Sequence, residues 1–380
     1  MAAPLKDSFG PEIPTVIATM LGDAWPAFPA AAFVRDSLDG FEALELTPRA
    51  RHVSDAMAIH LPADRGRALE IITASLGPED EELHGMEGFR YLPHVFFVAG
   101  HGLDHFDEAM RAQYELTKRF TAEFSIRAYI QHDPDRTLER LHQWAHDPSE
   151  HVRRLVSEGT RPRLPWAPRL REFQADPAPV LELLELLKDD PEEYVRRSVA
   201  NNLNDIAKDH PQVVIDVARQ WWAGGDRNRR RLVRHGLRTL IKAGDPAALA
   251  VLGYTADSPV RVGTVTLSSA TVPIGGKVRV EADLENPSAD TAAALVDLRV
   301  HFVKADGSTS PKVFKGAEVE LEPGGHAQVR KTISVAQHST RKHYPGTHRV
   351  EILVNGTPHI GGAFELRASP GGHHPSRVDP

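Results

Sequence analysis

The sequence predicts a mainly α-helical protein, a helical-repeat solenoid over residues 1–254 followed by a C-terminal β-sandwich over 259–368. Three observations carry this. Apolar residues recur every three or four positions up to about residue 253, as at Val195, Val199, Leu203 and Ile206, which is the spacing of one buried helix face. Two segments, DPSEHVRRLV (147–156) and DPEEYVRRSV (190–199), repeat at an offset of 43 residues. After Tyr254 the pattern turns to apolar–polar alternation, the period of half-exposed strands.

In the helical half, Asp-Pro pairs stand at 133–134, 147–148, 176–177, 190–191 and 245–246. Aspartate accepts from the unpaired N–H groups of a first helical turn and proline suits the first helical position, so each pair predicts a helix start. Glu150 and Glu193 follow at the spacing of a capping box. A weaker echo of the repeat, DRNRRRLVRHGL (226–237), comes 36 residues after the second copy. Repeats of this length with capped helices and a Val-Arg-Arg centre are HEAT-like, and stacked pairs of this kind form a concave binding surface.

The second half reads as about seven short strands, including VRVGTVTLSS, KVRVEADLEN, VDLRVHFVKADGS and THRVEILVNGT, separated by Gly, Pro and Asn-Pro signals. That pattern predicts an immunoglobulin-like sandwich lacking the antibody disulfide. The linker falls near TADSP (255–259), and the tail, 369–380, is expected to be disordered.

Composition narrows the chemistry. The chain has no cysteine, which removes disulfides, thiolate nucleophiles and Cys-ligated zinc. Neither a signal peptide nor a membrane-length apolar run is evident, so a soluble cytoplasmic protein with no membrane partner is expected. The net charge of −7 argues against a polyanionic partner until its distribution is considered. Acids crowd 77–88, whereas Arg227, Arg229, Arg230, Arg231, Arg234, Arg238 and Lys242 fall in one short segment. No GxGxxG, Walker-type loop or GxSxG elbow occurs. His94, His101, His105 and Asp104 lie close in sequence, but Gly102 interrupts the helix and no HExxH motif is present, so no metal or cofactor is expected.

Three features remain as candidate chemistry. Arg197, Asn201, Asp205 and Lys208 fall in one row on the second repeat helix, opposite its apolar stripe. Arg154 and Glu158 stand in the same i,i+4 relation one repeat earlier, and Glu123 lies between Phe120 and Phe124. From spacing alone these carboxylates fit ordinary surface ion pairs as well as a reactive site. The loop RPRLPWAPRL (161–170) fences Trp166 between Pro165 and Pro168 and surrounds it with Arg161, Arg163, Arg169 and Arg171, a setting suited to presenting an aromatic face.

Through RRLVSEGTRPRLPWA (153–167) and YVRRSVANNLNDIAKDHP (194–211), the sequence resembles the AlkC branch of the AlkC/AlkD alkylpurine DNA glycosylases. LKDSFG and GMEGFRYLPHVFFVAGHGLDHFDEAM add to the resemblance, which covers most of the helical half. It implies excision of 3-methyladenine, and of 3-methylcytosine and 1-methyladenine, without base flipping. It also implies an active-site cluster of Glu123, Glu158, Trp166 and Asp205. In that reading Asp205 faces the sugar and positions water, Glu123 or Glu158 assists, and Trp166 packs on the deoxyribose. Arg153, Arg154, Arg161, Arg163, Arg169, Arg197, Asn201, Arg227, Arg230, Arg231 and Arg234 would hold backbone phosphates. The implied partner is double-stranded DNA containing alkylated bases, bound by a monomer associated with the nucleoid. The alternatives are a non-catalytic HEAT scaffold, which predicts solvent-facing paired carboxylates and a buried Trp166, and a protein that binds damaged or branched DNA without excision.

Overall fold

The computed structural model describes residues 5–79, 87–337 and 342–368. In chain order its helices are α1 (Ile13–Ala24), α2 (Ala30–Leu38), α3 (Leu46–His60), α4 (Arg65–Ser75), α5 (Leu92–His101), α6 (Phe106–Arg119), α7 (Ile126–His132) and α8 (Pro134–Trp144). They continue with α9 (Glu150–Gly159), α10 (Arg171–Ala175), α11 (Ala178–Leu187), α12 (Glu193–Ile206), α13 (Pro211–Trp222), α14 (Arg227–Gly236), α15 (Arg238–Ala243) and α16 (Pro246–Val251). The described residues form two compact units, one running to His210 and taking in Asp226–Gly236, the other formed by Pro211–Gly225 and the chain from Leu237 onward. Helices α13, α15 and α16 thus group with the strands. The 254/259 linker marks the change from helix to strand, not the edge of a compact unit.

Within the first unit α12 packs between α9 and α14, and α11 lies against α9. Val152, Leu155 and Val156 of α9 and Val195, Val199, Leu203 and Ile206 of α12 are buried, which is the periodicity the sequence carries. Gly236 lets α14 approach closely: a Cβ there would stand 3.2 Å from Leu203 Cβ.

The structure explains the repeated Val-Arg-Arg. Its first arginine folds back onto its own Asp-Pro turn. Arg153 Nη1 donates to the Asp147 and Pro148 carbonyls at 2.9 and 2.9 Å. Arg196 Nη1 does the same with Asp190 and with Pro191, the latter at 2.7 Å. Arg153 also donates from Nε and Nη2 to Asp190, at 2.6 and 3.0 Å, tying one repeat to the next. Both partners of that bridge are largely buried, and breaking it is expected to cost about 2–3 kcal/mol. Arg153→Ala should therefore lower the unfolding free energy by that amount in a denaturant titration.

The capping differs in part from the expected pattern. Asp133 and Asp245 accept from Arg136 N and Ala248 N as true N-caps. Asp147, Asp176 and Asp190 instead accept from the backbone N–H two residues on, closing a turn before the helix starts. Glu150 and Glu193 are consequently the first helical residues of α9 and α12, and no capping box forms.

In the second unit a three-stranded sheet, β1 (Arg261–Leu267), β3 (Lys277–Glu285) and β6 (His326–Ser334), accompanies a five-stranded one. The latter runs β2-β8-β7-β4-β5 and comprises β2 (Thr271–Pro273), β4 (Ala292–Val303), β5 (Thr309–Leu321), β7 (Gly346–Val354) and β8 (Thr357–Arg367). Strand β3 alternates as read, with Val278, Val280, Ala282 and Leu284 in the core and Lys277, Arg279 and Asp283 exposed. His343 and His348, two histidines of the segment HSTRKHYPGTHR (338–349), are buried against Phe302 with ring centroids 5.2 and 5.4 Å away, so they are core. Residues 338–341 of that segment, most of the acidic 77–88 run and the 369–380 tail lie outside the described residues. Among the described residues, no helix is long and apolar enough to cross a membrane.

Candidate active site

The site is assembled at the ends of α9 and α12 and on the loop between α9 and α10. That loop is irregular because prolines at 162, 165 and 168 remove donors and bias their neighbours away from helix. Its shape is set from α7. Arg127, a buried residue, donates from Nη1 to the Gly159 and Arg161 carbonyls at 3.0 and 2.7 Å and from Nη2 to the Pro168 carbonyl at 2.5 Å. Burial pulls its guanidinium down to about 10, so it remains a cation near neutral pH. Leu164 and Leu170 anchor the loop in the core while Trp166 between them stays 69% exposed. Trp166 adopts φ 64°, a left-handed conformation that costs an L-residue about 1–2 kcal/mol. An exposed aromatic in a strained backbone fits a ligand-facing role better than a packing role.

Glu158 and Asp205 are both buried, at 6% and 2% exposure, and Arg161 joins them. Its Nη1 donates to Glu158 Oε1 at 2.6 Å and its Nε to Asp205 Oδ2 at 2.8 Å. Burial lowers the Arg161 guanidinium, but Glu158 and Asp205 outweigh it and hold the group above its ordinary value. On one side Lys208 Nζ donates to Asp205 Oδ1 at 2.9 Å. On the other, Arg154 reaches Glu158 Oε1 at 3.6 Å and Glu123 Oε2 at 2.6 Å. The six groups alternate in sign: Glu123, Arg154, Glu158, Arg161, Asp205, Lys208. Such a chain satisfies carboxylates that would be costly to bury unpaired.

Hydroxyls complete it. Ser198 Oγ donates to Glu158 Oε2 at 2.6 Å, and Ser157 Oγ lies 2.7 Å from Ser198 Oγ. Thr121 Oγ1 donates to Glu123 Oε2 at 3.0 Å. The Arg154 guanidinium also stands 5.4 Å from the ring centre of Tyr194, a half-exposed residue on the first turn of α12.

Several expected placements change. Asp205 faces inward and is not part of a solvated row with Arg197. Glu123 lies in the turn before α7 and not on a helix. Arg153, Arg154, Arg161 and Arg163 are engaged with protein carboxylates and do not stand open to solvent. Arg163 grips Asp209 in two-pronged fashion, at 3.0 and 2.5 Å, and holds that carboxyl below its ordinary range. Arg197 and Arg231 do share a surface. With Glu193, Arg196, Asn228 and His235 they line a cleft between α12 and α14. Asn201 accepts from His235 at 3.0 Å when the imidazole Nε2 carries the proton. Arg169, Arg227 and Arg230 are exposed and Arg234 half-buried. Sequence reasoning missed Arg127, Ser157, Ser198 and Tyr194, and gave Lys208 no part in the cluster. Only Lys208, at i+3 from a carboxylate, carried a readable signal.

The histidines do not gather into a centre. His94 is buried beside Ser75, and His101 lies 3.5 Å from Asp55. Among the described residues, no three His, Asp or Glu groups are disposed to hold a metal ion.

Known proteins resemble the chain in both its helical and its strand-rich parts. A family model described as DNA alkylation repair enzyme matches residues 120–240, which include the whole cluster. A second, described as the C-terminal Ig-like domain of uncharacterised protein YhaZ, matches 261–368. The uncharacterized protein YhaZ of Bacillus subtilis is 32% identical over 355 residues, 93% of this chain and 97% of that one. The solved structure of the Pseudomonas fluorescens alkylpurine DNA glycosylase AlkC, bound to DNA containing an abasic site analog, superposes with a TM-score of 0.88. It is 37% identical and spans 96% of this chain and 100% of its own.

Proposed function

The chain belongs to the AlkC branch of the AlkC/AlkD alkylpurine DNA glycosylases, and from that premise we propose that it excises small cationic N-alkylated bases from duplex DNA. The substrates proposed are 3-methyladenine, 3-methylcytosine and 1-methyladenine, each taken without extruding the base into a pocket. The observation that carries this reading is the network of buried Glu158 and Asp205 with half-buried Glu123, at the foot of a loop that displays an exposed tryptophan. The protein acts as a monomer and needs no cofactor.

The residue types suit the bond. Alkylation at a ring nitrogen makes the base cationic, so it departs with little need of a general acid. As the N-glycosidic bond lengthens, positive charge builds on the sugar, as in other oxocarbenium-like transition states. A fixed carboxylate beside C1′ stabilises that charge without reorganising, and it can orient the attacking water. Asp205 takes this role, with Glu158 and Glu123 maintaining its negative surroundings. The Trp166 face favours the same cation from the sugar side. Phosphates are held by Arg197 and Arg231 in the α12–α14 cleft and by Arg169, Arg227, Arg230, Arg234 and Asn201. Arg154 and Arg161 hold the carboxylates. The scaffold alternative requires solvent-facing carboxylates and a buried tryptophan, and the burial of Glu158 and Asp205 beside an open Trp166 disfavours it.

Release of 3-methyladenine from methylated duplex under single-turnover conditions tests the reading. A wild-type protein that binds the duplex and releases no methylated base leaves the damage-binding alternative standing. Trp166→Gly refines the test, because glycine tolerates the left-handed backbone. Its melting temperature should stay within about 3 °C of wild type, while saturated release slows about 10- to 100-fold.

A further inference from the structure

The alternating chain has one loose end. Asp205 is 2% exposed and both of its oxygens already accept from cations, Arg161 on one and Lys208 on the other. A carboxylate so covered projects little field toward a sugar. The two cations are held differently. The Arg161 side chain is 11% exposed, bridges two carboxylates, and belongs to a loop whose carbonyls Arg127 clamps. The Lys208 side chain is 40% exposed and reaches Asp205 from just beyond the end of α12. Arg154, the third cation, is 17% exposed and packs on Tyr194. Lysine is a point charge on a four-carbon stem, readily redirected, whereas a forked guanidinium is not.

The geometry points to a hand-over, in which Lys208 shields Asp205 in the free enzyme and moves to a backbone phosphate beside the lesion when DNA binds, baring Asp205 Oδ1 toward C1′. This rests on Asp205 as the sugar-facing carboxylate. The enzyme then carries its strongest local negative charge only while a duplex supplies the counter-anion for Lys208. Lys208 is a positioning residue here, since it acts through Asp205.

The test compares wild type, Lys208→Met and Lys208→Arg on duplex carrying an abasic-site analogue, titrated between 50 and 200 mM salt. A cation that moves to phosphate contributes about 0.9 to the slope of log affinity against log salt. Lys208→Met should therefore bind about tenfold more weakly at low salt and lose about 3.5-fold less affinity than wild type over that range. Lys208→Arg should keep the wild-type slope and release base about three- to tenfold more slowly, because a fork grips Asp205 harder. An unchanged slope in Lys208→Met with a saturated rate at least about 30-fold lower overturns the hand-over and leaves Lys208 on Asp205 throughout. An unchanged slope and rate overturn it equally. If Lys208→Met unfolds, Lys208→Arg decides, and a reduced slope there ends the proposal. Binding needs no base release, so a wild type inactive on methylated DNA would defeat the glycosylase role of Asp205 while the slope still reports on the lysine.

Discussion

Asp205→Asn is expected to slow saturated, single-turnover release of 3-methyladenine about 100- to 1,000-fold, while affinity for duplex carrying an abasic-site analogue stays within about threefold. The magnitude is that of removing one preorganised electrostatic group from a water-poor site. Asparagine matches aspartate in shape and its carbonyl oxygen can still accept one hydrogen bond, so the walls of the site should hold. What disappears is the negative charge that the proposed mechanism sets against the sugar. Arg161 keeps Glu158 as a partner at 2.6 Å, which limits the structural damage. A saturated rate within about tenfold of wild type would transfer the main electrostatic role to Glu158 or Glu123. The matching Glu158→Gln and Glu123→Gln rates would then identify which.

Arg161→Met is expected to be worse, because it takes the shared partner from two buried carboxylates at once. Breaking a buried pair by removing one member typically costs about 3–5 kcal/mol. Ser198 still donates to Glu158 and Lys208 to Asp205, so the lower part of that range applies. Urea titration should show unfolding free energy reduced by about 3 kcal/mol, with base release lost beyond the change in folded fraction. Lys at this position cannot span both carboxylates and should rescue stability more than rate. If Arg161→Met is as stable as wild type and releases base at more than a tenth of its rate, then Arg161 does not organise the site.

The sequence made the architecture legible because periodicity is a property of short windows. The i,i+3/i+4 stripe of α12 and the alternation of β3 follow directly from helix and strand geometry. The carboxylates were legible as residue types and as a resemblance, but their surroundings were not. Spacing put Asp205 in a row with Arg197, on the face opposite the apolar stripe. In the fold that face is partly covered by the loop after α9, so Asp205 meets Arg161 from 44 positions away. A one-dimensional wheel holds no information about what packs against it. The Val-Arg-Arg repeat misled for a related reason. Adjacent arginines in a helix point about 100° apart, so Arg153 turns to its Asp-Pro carbonyls while Arg154 turns to Glu123. Arg127 was hidden because a buried cation that grips three carbonyls leaves no pattern in its neighbours.

The six charged groups around Glu158 sum to zero, and this bears on how such an enzyme searches. A neutral cluster has almost no field beyond a Debye length, so it does not draw a duplex in from a distance. Long-range attraction then falls to the surface arginines proposed to hold phosphates, and phosphate contacts treat every stretch of backbone alike. Undamaged nucleotides can then be sampled and left at the same rate as damaged ones. On the proposed mechanism, discrimination is exercised at the moment the bond breaks, by how readily the base departs, and residence time on DNA can be tuned through surface cations without altering what is cut.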